Sequence, residues 1–270
     1  MNQYKMDFKR GLKSLLIWAG VTAIVTALIT ALYPSMMQSD MLALMNAKLA
    51  SLPQEMVAAL HMEGQDIREL PQYFAYMFQI IAIASCIYGA TLGLTAISRE
   101  ESEGTIEFLY AQPRKRTQIA TSKIASACVS YFVFFAAVGL ASLLACIAVK
   151  PAELSLMDLI SPVKMVLLGT LIAGFTYLFL GLAISVFLKK ARHAASLAVG
   201  LFFLLYIVGS IPAMTGVLEF LKWISPINYF IPNEVVVTGV QALHAVICLA
   251  VMAVCAAVTY SAYKKKDFAV

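Results

Sequence analysis

The chain has 270 residues, of which 61% are hydrophobic and 13% charged, and its mean hydropathy is +0.83. A chain of this length cannot bury so much apolar surface in a soluble core, so the composition excludes a soluble globular protein and indicates a membrane protein. The net charge of +5 does not indicate a nucleic-acid-binding protein. Its bases lie in short connections between apolar runs, with no aromatic-rich basic domain.

Six continuous apolar runs are long enough to cross a bilayer as helices, because about 20 apolar residues span a hydrocarbon core of about 30 Å. Strands of a β-barrel would instead show short alternating segments. The sequence therefore predicts an all-α polytopic membrane protein, with a single transmembrane domain over residues 1–270. Its six predicted helices lie near residues 15–33, 73–97, 124–149, 163–188, 194–214 and 243–263.

The first connections in chain order are an amphipathic arm and a long loop. Residues 1–13 combine four bases with apolar side chains, which predicts a short helix lying in the membrane interface. Residues 34–72 form the largest loop, expected outside the cell, and hold six of the 13 methionines. Three interpretations stay open for these methionines: a packing surface, contact with an apolar substrate, or a Cu(I) site.

Two features follow the external loop. Gly89 and Gly93 form a GxxxG element in the second predicted helix, which favours close helix packing, including packing against a second subunit. A charged segment, 99–123, then separates the second and third apolar runs, with its four carboxylates before four of its five bases. Thr105 can cap a short helix that has Glu107 in its first turn, and Pro113 ends it. This pattern predicts a surface helix that contacts a partner outside the bilayer.

Residues 211–241 lie before the last predicted helix and are too apolar for an ordinary loop. Pro212, Pro226 and Pro232 interrupt them, so they do not form a seventh crossing. Irregular backbone at membrane depth must be shielded by protein or by a water-filled cavity. We therefore predict a re-entrant segment, a pair of short helices that dips back into the outer leaflet.

The distribution of Lys and Arg predicts the orientation. Fifteen of these residues fall in the arm, the segment 99–123, the fourth connection and the C-terminal tail, whereas five fall on the other side. Positively charged loops stay in the cytoplasm. We expect a multi-pass protein with both termini cytoplasmic, in a cell membrane and most simply a bacterial one.

The sequence lacks the motifs of several common catalytic and metal-binding sites. There is no GxxxxGK[ST] phosphate-binding loop and no HExxH zinc motif, so we expect no catalytic residues and no metal site. The predicted helices are nearly free of ionisable side chains, which argues against an ion-driven carrier. Energy for transport would then arrive through a cytoplasmic contact. A non-transporting scaffold or sensor remains an alternative.

The charged segment resembles the ATPase-contacting part of ABC-2-type transporter permeases. The residues that carry the resemblance are Glu100, Glu101, Glu103, Gly104, Thr105, Glu107, Phe108, Leu109, Pro113 and Arg116, with Lys123 after them. In that family this connection is a cytoplasmic coupling helix that docks on the nucleotide-binding subunit. The interfacial arm, six helices and re-entrant segment agree with the family's layout.

The resemblance implies the membrane half of an ATP-driven exporter. Its partners would be two cytoplasmic ABC ATPase subunits, a second permease copy and the lipid bilayer, with no nucleic acid. A homodimer is the simplest arrangement and a heterodimer the alternative. ATP and Mg²⁺ would bind the ATPase, and no cofactor this chain. We expect a hydrophobic or amphipathic cargo, such as a peptide, drug or lipid. A copper-related permease that uses the methionine-rich loop is the alternative.

Overall fold

The computed structural model describes residues 2–38, 44, 47, 51, 53, 68–103, 116–188, 191–215 and 217–265. No strand occurs in these ranges. The helices are α1 (Asn2–Ala31), α2 (Tyr33–Met36), α3 (Leu70–Glu103), α4 (Arg116–Ala148), α5 (Leu156–Ser185), α6 (Ala194–Thr215), α7 (Pro232–Thr238) and α8 (Ala242–Lys265). Six helical stretches of the described chain are long and apolar enough to cross a membrane, which confirms the prediction of six crossings.

The start of α1 and the end of α8 lie at one end of the bundle, here called the terminal end. There Arg116, at the start of α4, donates a hydrogen bond to the carbonyl of Lys264 at the end of α8. The opposite end is called the distal end. At the distal end the Tyr33 hydroxyl donates to the Arg68 carbonyl, and the Tyr73 hydroxyl donates to the Ile29 carbonyl. These two bonds hold the end of α1 against the start of α3.

Helices α3 and α5 form the centre of the bundle and make its most extensive helix contact. Helix α1 packs mainly on α4, helix α6 on α3, and helix α8 on α5. The spaces between these helices are filled by large aromatic side chains with almost no exposed surface, namely Tyr73, Phe74, Phe78, Tyr88, Tyr131, Phe134, Tyr177 and Phe202. Aromatic rings of this size bury more apolar surface than any other side chain, so the core depends on them.

The helices extend beyond the predicted limits at the terminal end. Helix α1 is continuous from Asn2 to Ala31, so the separate interfacial helix predicted for residues 1–13 is not a separate element. No proline lies in that stretch, and Gly11 alone does not stop a helix. Helix α3 likewise continues to Glu103, because the Arg and Glu residues after Ser98 favour helix.

The segment before the last crossing differs in detail from the predicted pair of helices. Pro212 lies inside α6, which continues to Thr215. Two 3-10 helices, Glu219–Ile224 and Pro226–Tyr229, precede α7. Pro226 and Pro232 each stand at the start of a new helical segment, the position at which a missing N–H is tolerated. The prolines therefore divide this stretch into shorter pieces than predicted.

The inner part of that segment is folded into the bundle. Ile227, Phe230 and Val235 are buried, and the Asn233 side chain donates to Gln79 on α3 over 3.4 Å. Trp223 and Phe220, in contrast, are largely exposed. Most of the external loop 34–72, with its methionines Met41, Met45, Met56 and Met62, lies outside the described residues. The methionines Met36 and Met37 are described, and they pack against the core.

Candidate functional site

The predicted coupling residues divide between two helix ends and a connection. Glu100, Glu101 and Glu103 form the end of α3, and Arg116 is the first residue of α4. The remaining members lie in 104–115, outside the described residues: Gly104, Thr105, Glu107, Phe108, Leu109 and Pro113. The structure therefore describes the two helix ends that flank the predicted coupling segment, here called the α3 stem and the α4 stem.

The α3 stem is attached to α5. The backbone N–H groups of Ile97 and Ser98 both approach the Ser185 hydroxyl oxygen, at 3.1 and 3.3 Å. Ser185 is the last residue of α5 and is fully buried. One buried oxygen thus receives two amide donors from a helix far away in the sequence. A buried hydrogen bond of this kind fixes position, because breaking it would leave polar groups unsatisfied.

The α4 stem is attached to α3 through a buried lysine. Lys123 is only 3% exposed, and its ammonium nitrogen donates to the Ala96 carbonyl at 3.1 Å. A charged side chain inside a transmembrane bundle is costly unless it is paired, so such a residue has a function by default. The charge pattern predicted that Lys123 lies with the other bases in a cytoplasmic loop. The structure instead turns it inward between two helices.

Lys123 faces a small polar cavity between α1, α3 and α4. The cavity has a volume of about 150 Å³, and its lining includes Asp7, Arg99, Ser126 and Ser130 as well as Lys123. Asp7 comes from the arm that the sequence placed in the interface, and Arg99 comes from the charged segment that the sequence placed in the cytoplasm. These groups meet only when α1 extends as one helix past Asp7, which is why the sequence did not predict the cluster.

The α4 stem is also attached to α8. The Arg116 guanidinium donates to the Lys264 carbonyl at 3.3 Å, and the hydroxyls of Thr121 and Tyr260 lie 2.8 Å apart. Beneath these bonds a small apolar cluster joins four helix ends, and its buried members are Ile97, Ile119, Ala120, Val186 and Tyr263. A displacement of either stem must therefore displace the ends of α5 and α8.

The two predicted packing glycines lie against α5 of the same chain. A Cβ atom on Gly89 would lie 2.5 Å from the Gly174 carbonyl oxygen, and one on Gly93 would lie 2.1 Å from the Leu178 carbonyl oxygen. No side chain larger than hydrogen fits at such distances. Both glycines therefore serve packing within the chain, and α3 and α5 move together.

The comparison with protein families matches nearly the whole chain. The family described as "ABC-2 family transporter protein" matches residues 1–268. The chain belongs to the ABC-2 family. As an ABC-2 protein it is the membrane-spanning permease component of an ABC transporter, a class that works with ATPase subunits and is not itself an ATPase. A search of curated proteins found no match.

The sequence of this ABC-2 protein did not single out Ser185 or Tyr260, and it gave Lys123 only as a cytoplasmic base after the family motif. Ser185, Tyr260 and the inward-facing Lys123 each contact another helix, and no local motif marks such a contact. A weak signal existed for Lys123, because Ser126, Ala127 and Ser130 follow it at helical spacing. Small residues at that spacing line a buried face of α4.

Proposed function

We propose that this ABC-2 permease is the membrane half of an ATP-driven exporter for a hydrophobic or amphipathic cargo, such as a peptide, a drug or a lipid. Two copies, or this chain and a related one, would enclose the pathway. Two separate cytoplasmic ATPase subunits would bind ATP and Mg²⁺ and hydrolyse the ATP. The terminal end of the bundle would then face the cytoplasm, in agreement with its excess of Lys and Arg.

The observation that carries this proposal is the attachment of both stems to the bundle. The helices on either side of segment 104–115 are held near the terminal end by Ser185, Lys123 and Tyr260. A partner that grips the segment would therefore push on α5 and α8 as well as on α3 and α4. A loosely attached loop could not transmit such a displacement.

The proposed roles of the segment residues follow from their chemistry. Phe108 and Leu109 would enter an apolar groove of the ATPase, since central apolar contacts dominate most interfaces. Glu100, Glu101, Glu103 and Glu107 would fix the orientation by charge complementarity. Arg116 would hold the base of the segment, because it already contacts the end of α8.

The cargo class is supported by the surfaces of the crossings. Their exposed residues are overwhelmingly apolar, including Leu16, Ile24, Leu28, Phe132 and Leu204. A sugar or an inorganic ion would need rings of accessible polar groups, whereas hydroxyl side chains of the crossings such as Thr26, Ser142 and Thr170 are buried between helices. An apolar or amphipathic molecule needs no such groups.

The test is ATP hydrolysis by the chain reconstituted with its ATPase in proteoliposomes. Leu109→Ala and Glu107→Arg should each lower the permease-stimulated hydrolysis by about tenfold, the effect of losing a central contact. Leu44→Ala is the matched control, because Leu44 is an exposed leucine of the distal loop. Unchanged stimulation in both segment variants would favour the scaffold or sensor alternative.

A further inference from the structure

A second cavity lies at the distal end, between α6, the start of α8 and the segment that contains Trp223. Its volume is about 640 Å³, the size of a drug-like molecule. Aromatic side chains form much of its wall: Phe220, Trp223 and Tyr229. Two carboxylates, Glu219 and Glu234, share the wall. None of these residues belongs to the coupling site.

The wall is held in place by close contacts. A Cβ atom on Gly209 would lie 2.5 Å from Ser225 Cβ and 2.6 Å from Asn228 Nδ2, so α6 and the segment touch at this glycine. The Tyr229 ring stacks on the His244 ring with centroids 4.9 Å apart, and its hydroxyl donates to the Trp223 carbonyl. The aromatic wall is therefore built before any ligand arrives.

The exposed members of this wall favour one kind of ligand. Trp223 is 50% exposed and Phe220 is 63% exposed, so both keep surface available for contact. The face of an aromatic ring attracts cations, and tryptophan does so most strongly. Glu219 and Glu234 attract cations as well. A ligand with an anionic group would be repelled by the carboxylates, and a fully apolar ligand would leave them unused.

Lys222 lies in the same wall as the two carboxylates. Its ammonium group pairs with the Glu219 carboxylate, and both side chains are more than half exposed. The described lining thus holds two carboxylates and one ammonium group. A cationic ligand would compete with Lys222 for Glu219.

We propose that this distal cavity binds an amphipathic organic cation, a quaternary or protonated amine or its phosphonium analogue that carries apolar groups. Binding at the cavity does not require the ATP cycle. The further claim that such cations are the cargo rests on the proposed exporter function.

The chain itself supplies the probe for a binding test. Trp223 and Trp18 are its two tryptophans, so Trp18→Phe leaves Trp223 as the sole tryptophan reporter. The fluorescence of Trp223 is titrated in lipid nanodiscs with tetraphenylphosphonium and, separately, with tetraphenylborate, an anion of the same size and shape. We expect saturable binding of the phosphonium ion and at least about tenfold weaker binding of the borate.

Three variants in the Trp18→Phe background make the test specific. Glu234→Gln should weaken phosphonium binding about tenfold, and Lys222→Gln should strengthen it several-fold, since it removes the competing ammonium group. Glu153→Gln is the control, because Glu153 is also at the distal end but lines a different cavity. Equal affinities for both ions, or no response to either cavity variant, would overturn the proposal.

Failure of the cation-binding test can be distinguished from failure of the ATPase test of the exporter proposal. Leu109→Ala should lose ATPase stimulation while binding the phosphonium ion normally. Normal ATPase stimulation without cation binding would overturn this inference alone. Cross-linking between two copies through Trp223→Cys, together with absent binding, would assign the wall to a subunit contact and would also overturn it.

Discussion

Gly93 on α3 and Gly181 on α5 lie face to face at the closest approach of these two helices. A Cβ atom on Gly93 would lie 2.1 Å from the Leu178 carbonyl oxygen, and one on Gly181 would lie 2.6 Å from the Ala90 carbonyl oxygen. The contact involves backbone atoms on both sides, so no side-chain rotation can relieve it. This pair makes the stem of α3 and the helix behind it one mechanical unit.

Gly93→Ala should therefore destabilise the bundle. Overpacking of a close contact costs on the order of 2 kcal/mol, and backbone atoms cannot yield as side chains do. The free energy of unfolding in mixed micelles measures the effect. Gly20→Ala is the matched control, because a Cβ atom at Gly20 meets nothing within 4 Å. Equal stability of the two variants would contradict the close approach.

Two Tyr→Phe variants should change stability in opposite directions. The Tyr131 hydroxyl is buried without a hydrogen-bond partner among the described residues, so Tyr131→Phe should stabilise the fold by about 1 kcal/mol. The Tyr73 hydroxyl donates to the Ile29 carbonyl at 2.9 Å, and its removal should cost about 1 kcal/mol. Unfolding in mixed micelles measures both values. A loss of stability in Tyr131→Phe would show that its hydroxyl is satisfied.

Lys123→Met should detach the α4 stem from α3 while the protein stays folded. It removes the hydrogen bond to the Ala96 carbonyl but keeps a long apolar side chain in the same space. We expect the permease-stimulated ATP hydrolysis to fall at least about fivefold, equivalent to about 1 kcal/mol of lost coupling. Thermal stability should change little, because the buried charge is removed together with its partner bond.

Lys150→Met provides the control for that variant. Lys150 also donates to backbone carbonyls, those of Pro151 and Leu154, but it does so at the distal end. The control should keep its ATPase stimulation. An equal loss in both variants would mean that Lys123 acts only through general stability.

The number and approximate positions of the membrane-spanning helices could be predicted from the sequence, because they depend on the hydropathy of long segments. Six apolar runs, each long enough for a bilayer crossing, favour membrane-spanning helices, and the match to helices α1, α3, α4, α5, α6 and α8 follows from that. The helix ends were less predictable. The end of α3 at Glu103 and the continuity of α1 depend on the absence of breakers, which hydropathy does not measure.

The attachment of the stems could not be predicted because it joins residues far apart in the chain. Ser185 receives the amides of Ile97 and Ser98 only because glycines bring α3 and α5 together. Lys123 looked like a loop base, since the small residues that follow it at helical spacing do not indicate that it faces α3. The coupling segment was predicted from its motif, and both its coupling role and its contact with an ATPase stay predictions.

The central claim is that segment 104–115 is gripped by an ATPase inside the cell. The most direct measurement is site-specific cross-linking of Leu109→Cys to the ATPase subunit, in a chain whose five native cysteines are replaced. We predict a cross-link to the ATPase and labelling by a membrane-impermeant thiol reagent only from the cytoplasmic side. Labelling from outside the cell, or the absence of any ATPase cross-link, would contradict the account.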